Sequence, residues 1–514
     1  MDCFEPGSCY QRKILGLNLY KIVLCLTETY PCKHLNKCMR KDTKQKFTNK
    51  TCLLVFLKLI QDSAHDVKQT ANYIIINYFE KDVLTNLEKQ VLFDTAIENC
   101  NSTKFYEVET GAEFMKALVT WEPFDTNFII NKCEKNTLDS SYCEFFLHEA
   151  QRQLLQMKQD ILKAIVHNAP FYGILTAMLK TSFQNGPKNC KPPLYVIEKV
   201  LDFLDDSVNF FLSILSSKSA TTEYASSFAE MGLAINDTIK ASTIHDDNYD
   251  DFVLSPAHQV IISCIWLSLK VTCEIASNIG CSIYSNETTL HSIELITMVL
   301  TKCRHKGAIE AAGVAIGNLV RCICKEGNYA EALKIYVKNL IQDNTMNTLN
   351  VTRRGAGFSL MFHKIVANDN RKGRPLLHFA IQELLYSLES WPKTQFENIE
   401  SKYDLPLTRH LHFLCTLVTD KELHVQLLPY MERISLVCFQ YLQSEIWSIR
   451  NASLQLFGAV VPRLVGQTIG GKELDYGNGY SINHFITHYP MLAKHISIQL
   501  QYFAQLSENS NTML

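Results

Sequence analysis

"LYVIEKVLDFLDDSVNFFLSILSS", residues 194–217, decides the fold class. Ile197, Val200, Leu201, Leu204, Val208 and Phe211 recur at separations of three and four, with Glu198, Lys199, Asp202, Asp205, Asp206 and Asn209 between them. That period puts the apolar side chains on one face of an α-helix and the charges on the other. The period returns at 52–60, 63–80, 144–166, 257–279, 290–303, 306–324, 329–341, 375–388, 406–418, 429–443 and 446–466. Strand alternation is almost absent, and the connections are short, polar and often marked by Pro, Asn or Gly. The chain therefore reads as all-α.

At 514 residues the chain is too long for one hydrophobic core, so several domains or a repeat array are expected. Helices of about 12 to 20 residues joined by short loops predict an α-solenoid of HEAT/armadillo-like repeats. Val67 with Ala71, Ile309 with Ala312, and Ile449 with Ala452 each put a β-branched and a small residue on neighbouring turns. Such pairs fit the inner helix of a HEAT-type repeat, where the small residue lets a partner helix approach. The Pro-, Asn- and Gly-rich stretch 183–193 marks the first boundary. The expected organisation is N-terminal repeats over 1–185, a helical hairpin region over 194–242, a repeat block over 255–505, and a disordered tail over 506–514.

Composition narrows the function classes. Apolar residues make up 47% and charged residues 20%, with a formal net charge of −2, so attraction to nucleic acid or anionic lipid must come from local patches. The opening residues are broken by charges and do not read as a signal peptide. No run is read as reaching the roughly 18 apolar residues that span a bilayer. A cytoplasmic location without membrane insertion is expected. The 18 cysteines are scattered, many within apolar helical stretches, and read as buried thiols rather than a disulfide framework.

Several motifs fail on inspection. Gly466 with Gly471 and Lys472 approaches a phosphate loop, but Glu473 stands where Ser or Thr would hold magnesium, and a helix precedes it. Asp246, Asp247, Asp250 and Asp251 lack the alternation of a calcium loop. Cys32, His34 and Cys38 lack an evident fourth zinc ligand, and no C-x-x-C occurs in the chain. There is no nucleophile elbow and no strand followed by G-x-G. No catalytic signature and no cofactor site is read.

The remaining candidate is "TRRGAGFSLMFHKI", residues 352–365. Thr352 is a good N-cap, which would put Arg353, Arg354 and Gly355 in a first helical turn with free N–H groups. A helix N-terminus with guanidinium groups suits an anion. Gly355, Ala356 and Gly357 form a helix poorly as a group, a weakness that makes sense where something packs very close. Arg371, Lys372 and Arg374 follow, and Arg304 and Lys306 precede in an earlier helix pair. Successive repeats would align them into a basic ridge, with Arg450 further along. The plain alternative is that the arginines pair with neighbouring carboxylates.

The same stretch resembles the R-R-S-A-G-hydrophobic-Pro motif of the thyroid adenoma-associated protein family (DUF2428), large HEAT-repeat proteins. Residues 264–280, 297–319, 446–466 and 485–500 are similar to the same family in the same order. Arg353, Arg354, Ala356 and Gly357 match the motif, while Gly355 replaces its serine and Ser359 its proline. Family members are usually far longer than this chain. The resemblance implies a non-enzymatic partner of an FtsJ-like, S-adenosylmethionine-dependent 2′-O-methyltransferase, directing methylation to the ribose of nucleotide 32 in the tRNA anticodon loop. It also implies that the residues named above meet tRNA or the enzyme. An α-solenoid scaffold for protein partners, with no RNA role, is the competing expectation.

Overall fold

The computed structural model describes residues 2–5, 7–29, 44–121, 141–184, 192–215, 228–243, 256–342, 356–391, 406–465 and 481–511. Every regular element among them is helical, and they divide into two compact units, Met1–Ala312 and Gly313–Leu514. Within each unit, helices adjacent in sequence pack on each other and on those that follow, as in a helical-repeat solenoid.

Unit 1 contains α1 (Tyr10–Thr29), α2 (Lys50–Ile60), α3 (His65–Tyr78), α4 (Asn86–Cys100), α5 (Phe105–Trp121), α6 (Tyr142–Gln159), α7 (Ile161–Val166) and α8 (Tyr172–Met178). A π-helical turn, Leu179–Phe183, extends α8. Then come α9 (Leu194–Ile214), α10 (Phe228–Lys240), α11 (Pro256–Cys281), α12 (Asn286–Lys302) and the start of α13 (Lys306–Ile323). Unit 2 holds the rest of α13, α14 (Gly327–Gln342), α15 (Ala356–Ala367), α16 (Pro375–Glu389), α17 (Pro406–Thr419), α18 (Met431–Leu442), α19 (Trp447–Val465), α20 (Ile482–His488) and α21 (Pro490–Asn511).

The periodic residues form the core. Ile197, Val200, Leu201, Leu204, Val208 and Phe211 of α9 are all fully buried. The β-branched and small pairs are buried too, Val67 with Ala71 and Ile449 with Ala452 fully and Ile309 with Ala312 nearly so. Caps fix where helices begin. Thr85 and Glu88 form a reciprocal capping box on α4, and Ser285 and Thr288 form one on α12.

Three expectations change. Residues 144–166 form two helices, because Asp160 leaves helical geometry (φ −158°) and caps the second through the Lys163 N–H. Its carboxylate also accepts hydrogen bonds from the Ser242 hydroxyl at 2.8 Å and the Thr243 N–H at 2.8 Å, so a tertiary contact overrides the local period. The stretch 183–193 does not divide the packing: α6 packs on α9, and α8 on α11, across it. The division falls inside α13 instead. Finally, α11 is long and apolar enough, by length and composition, to cross a membrane, and 67% of its most apolar window is buried inside the fold.

The tightest packing lies where α4, α5 and α8 meet. A Cβ on Gly111 would stand 2.6 Å from the Ala96 carbonyl oxygen, and one on Gly173 only 1.8 Å from that of Cys100. Just before Gly173 the backbone is strained. Phe171 has φ 64° and ψ −54°, closed by a 2.7 Å hydrogen bond from the Tyr172 N–H to the Pro170 carbonyl. That γ-turn is held from outside by the Gln153 side chain, which accepts the Phe171 N–H at 2.8 Å. Nearby, the Lys180 ammonium of the π turn meets Glu113 of α5 at 2.6 Å. The Asn72 amide bonds the same carboxylate, and the Lys68 ammonium donates to the Tyr106 carbonyl and the Thr110 hydroxyl. These side chains are nearly or wholly buried; Lys180 and Glu113 neutralise each other inside the core, while the Lys68 ammonium is held by uncharged oxygens.

Two predictions follow from burial. Gly173→Ala presses a methyl group into backbone that cannot turn aside, and should destabilise the protein by about 3 kcal/mol, read as a lowered denaturation midpoint. His410 of α17 is 2% exposed, with its Nε2 2.8 Å from the Ile341 carbonyl and its Nδ1 3.2 Å from the Ser387 hydroxyl. Burial holds its pKa down to about 4. The unfolded chain takes up this proton near pH 6.5 and the folded chain only near pH 4, so stability falls as pH drops through that window. The His410 share is on the order of 3 kcal/mol, and His410→Gln should flatten the loss between pH 6.5 and 4 in chemical denaturation.

Candidate nucleic-acid interface

The basic residues that unit 2 brings together lie at one corner, built by α13, α15 and α16. The approach of α13 to α15 depends on two glycines one turn apart. A Cβ on Gly313 would be 2.8 Å from Leu360 Cδ2, and one on Gly317 would be 2.7 Å from Asn368 Nδ2. Met361, Phe362, Ile365 and Val366 bury the inner face of α15, and Phe362 stacks on Phe413 of α17 with ring centroids 4.2 Å apart. Across the same boundary His363 meets Asp420 at 2.8 Å. The helix is thus fixed in position and rotation.

The α15–α16 turn, residues 368–374, is organised by Asp369, which is wholly buried. Its carboxylate accepts from the Arg371 Nε at 2.8 Å and Nη2 at 2.9 Å, and from the Leu376 N–H of α16 at 2.9 Å. Burial pushes the Asp369 carboxyl up, but the Arg371 guanidinium and these N–H groups outweigh it and hold it below the ordinary carboxylate range. The N-terminus of α16 is therefore capped internally. Gly373 (φ 78°) and Arg374 (φ 46°) turn the chain through the left-handed region. The Arg374 guanidinium donates to the Ala367 carbonyl at the end of α15, 2.6 Å away.

The turn is tied to the end of α13. Asn370 donates to the Arg321 carbonyl at 3.2 Å, and the Cys324 thiol donates to the Asn370 side chain at 3.1 Å. Exposed Arg321 and Lys325 therefore flank exposed Lys372, with half-buried Lys364 and Arg374 beside them. Arg371 is neutralised by Asp369, and Glu326 is the nearby acid in sequence. What remains among the described residues of this corner is a group of cationic side chains able to meet phosphate oxygens.

The expected residues are distributed as follows. Arg371, Lys372 and Arg374 share this turn, although Arg371 is an internal clamp. Gly357 lies buried in the first turn of α15, which begins at Ala356, while Arg353, Arg354 and Gly355 lie outside the described residues. Arg450 is on α19, where its guanidinium closes the preceding turn through the Ser444 carbonyl at 2.7 Å. Arg304 and Lys306 belong to unit 1, where Lys306 makes an exposed 3.7 Å pair with Glu310 and His305 stacks on Trp266. Arg321 and Lys325 escaped the sequence reading. They look like an ordinary helix end, and only the side chain of Asn370 links them to the turn.

Among the described residues no three His, Cys, Asp or Glu side chains gather as a metal site. Cys32, His34, Cys38, the acidic loop aspartates and the loop 466–480 lie outside those residues. Burial pushes the Cys100, Cys143, Cys264 and Cys438 thiols up to about 12, which makes them packing residues rather than nucleophiles.

The corner lies inside the segment that known proteins share. The sequence model of the family described as THADA/TRM732, DUF2428 matches residues 195–448. The tRNA (32-2′-O)-methyltransferase regulator trm732 of Schizosaccharomyces pombe is 22% identical over 471 residues, covering 88% of this chain and 29% of that protein. The regulator THADA of Gallus gallus is 25% identical over 268 residues, and that of Mus musculus 23% over 265, each match covering 13% of the relative. The chain thus spans less than a third of the length of these curated relatives. Residues 195–448 are the part of the chain that is similar to the DUF2428 family of THADA and TRM732.

Proposed function

We propose that this chain is a non-catalytic regulatory subunit of a tRNA 2′-O-methyltransferase. The enzyme is an FtsJ-like, S-adenosylmethionine-dependent protein acting in the cytoplasm, and the chain directs it to the ribose of nucleotide 32 in the anticodon loop. The relatives' shared role, regulator of the tRNA (32-2′-O)-methyltransferase, carries the reading. The corner formed by Arg321, Lys325, Lys364, Lys372 and Arg374 supports it, because phosphate contacts orient an RNA without reading its sequence. Arg353 and Arg354 precede α15 directly in sequence, so in this proposal they meet the RNA or the enzyme beside it, and Arg450, and separately Arg304 and Lys306 of unit 1, are proposed as further contacts.

The division of labour has a physical basis. A small methyltransferase touches few nucleotides, whereas a long helical platform meets backbone and shape over a wide span. Rigid placement then matters more than chemistry. The clamp of Asp369 on Arg371 and the glycine contacts of α13 supply that rigidity.

The reading is tested by mass spectrometry of ribose methylation at position 32 in cells with and without the protein. Loss of the modification supports it, and unchanged methylation rejects it. Replacing Arg321, Lys325 and Lys372 together by alanine should weaken tRNA binding alike across sequences. It should also reduce the slope of log K against log salt by about one per residue. All three side chains are exposed, so the melting temperature should not move. Arg353→Ala with Arg354→Ala should lower methylation in the same assay. A pure protein scaffold would show no tRNA crosslinks and no change in any of these measurements.

A further inference from the structure

Helices α14 and α16 of unit 2 pack side by side and run in the same direction. The Lys334 ammonium of α14 stands over the Phe379 ring of α16, 5.2 Å from its centroid. Further along both helices, the Ile341 carbonyl and the Ser387 hydroxyl meet the same buried His410, at 2.8 and 3.2 Å. At the head of the pair, Asn370 ties the Arg321 carbonyl to the turn that carries Lys372 and Arg374. One surface therefore begins at the cationic corner and continues down the outer side of α16.

On that side Phe379 and Tyr386 stand about two helical turns apart. Phe379 is half-buried and has Lys334 above its ring. Tyr386 is 72% exposed, and among the described residues its hydroxyl has no hydrogen-bond partner. Charge changes character along the way. At the corner Arg321, Lys325, Lys372 and Arg374 outnumber Glu326. Around Tyr386 the signs balance: Glu331 lies 4.0 Å from Lys334, and Arg433 holds Glu389 at 2.7 Å. Half-buried Glu383 and exposed Lys338 add one charge of each sign. This part of the surface exerts little pull on a phosphate. An exposed ring beside a carboxylate suits an uncharged nucleobase instead, since the ring can stack and the carboxylate can accept from an exocyclic amino group.

We infer that Tyr386 is a stacking platform for an unpaired nucleotide of an RNA whose neighbouring phosphates rest on the corner. The inference depends on the tRNA reading given above and narrows it to a single-stranded part of that RNA. A base inside a duplex is stacked on both faces, so a protein ring cannot reach it, whereas a loop base offers its whole face. Pro375 and Tyr386 are about 16 Å apart along α16, a span that a few linked nucleotides bridge. The cations supply attraction that any strand or duplex would feel, and Tyr386 supplies the preference for a loop.

Fluorescence anisotropy with the purified full chain tests the inference. Two RNA probes of equal length serve, a hairpin with an unpaired loop and a duplex in which every base is paired. Tyr386→Ala should weaken hairpin binding about tenfold. It should leave duplex binding and the dependence on salt unchanged, because no charge is removed. Tyr386→Trp should keep hairpin affinity, since a flat ring is retained. Circular dichroism and the melting temperature should not move in either variant, as the side chain is already exposed. Hairpin affinity unaltered in Tyr386→Ala overturns the inference and leaves the tRNA reading standing. Equal loss on hairpin and duplex overturns it as well. A chain that binds neither probe overturns the tRNA reading and the inference together. If Tyr386→Ala releases a co-purifying methyltransferase while RNA binding is intact, the ring meets the enzyme and the inference fails.

Discussion

No helix in this chain can bury its own apolar face; only a neighbouring helix can, and every other property of the fold follows from that. Residues 194–214 make the point, since their apolar stripe is covered on one side by α6 and on others by α11 and α12. Where two helices must come closer than side chains permit, glycine supplies the missing volume. Gly111 and Gly173 do so around Cys100, and Gly313 and Gly317 do so beneath α15. Stability is then distributed along the chain as a sum of local interfaces rather than concentrated in one core.

Against this apolar background, single carboxylates set geometry. Asp160 turns what its neighbours would make one helix into two, held by hydroxyl and amide groups from residues 242 and 243. Asp369 does the same for the turn that presents Lys372 and Arg374, fastening it to Arg371 and to the first turn of α16. In both places several hydrogen bonds hold the charge, on Asp369 out of reach of solvent and on Asp160 at its edge. That makes each turn stiff, which a surface meant to orient a large ligand requires.

Much of this was legible in the amino-acid order. The period at 194–217 and its many repetitions specify helices, and the paired β-branched and small residues identify buried faces. Other features were hidden. Helices α4 and α5 went unread, and α4 leaves Leu87 and Val91 exposed at 76% and 58%, which blurs its stripe. The break at Asp160 depends on a partner 82 residues away, and no local pattern encodes such a contact. At the candidate interface the run Arg371, Lys372, Arg374 reads as three equivalent cations. Only the buried position of Asp369 reveals that Arg371 is structural, and only Asn370 brings in Arg321. The family motif, in contrast, was recognisable because its small residues and arginines are contiguous.

The π-helical turn at 179–183 has a further bearing on how this chain can vary. A wide turn takes up one residue more than a regular one, and Lys180 stands inside it with its ammonium on the buried Glu113 carboxylate. Regular winding through the same stretch would swing the side chains that follow by about 100°, out of their places against α5 and α11. Loss of a single residue there would therefore disturb two neighbouring helices at once. The length of this segment is tied to the packing around it.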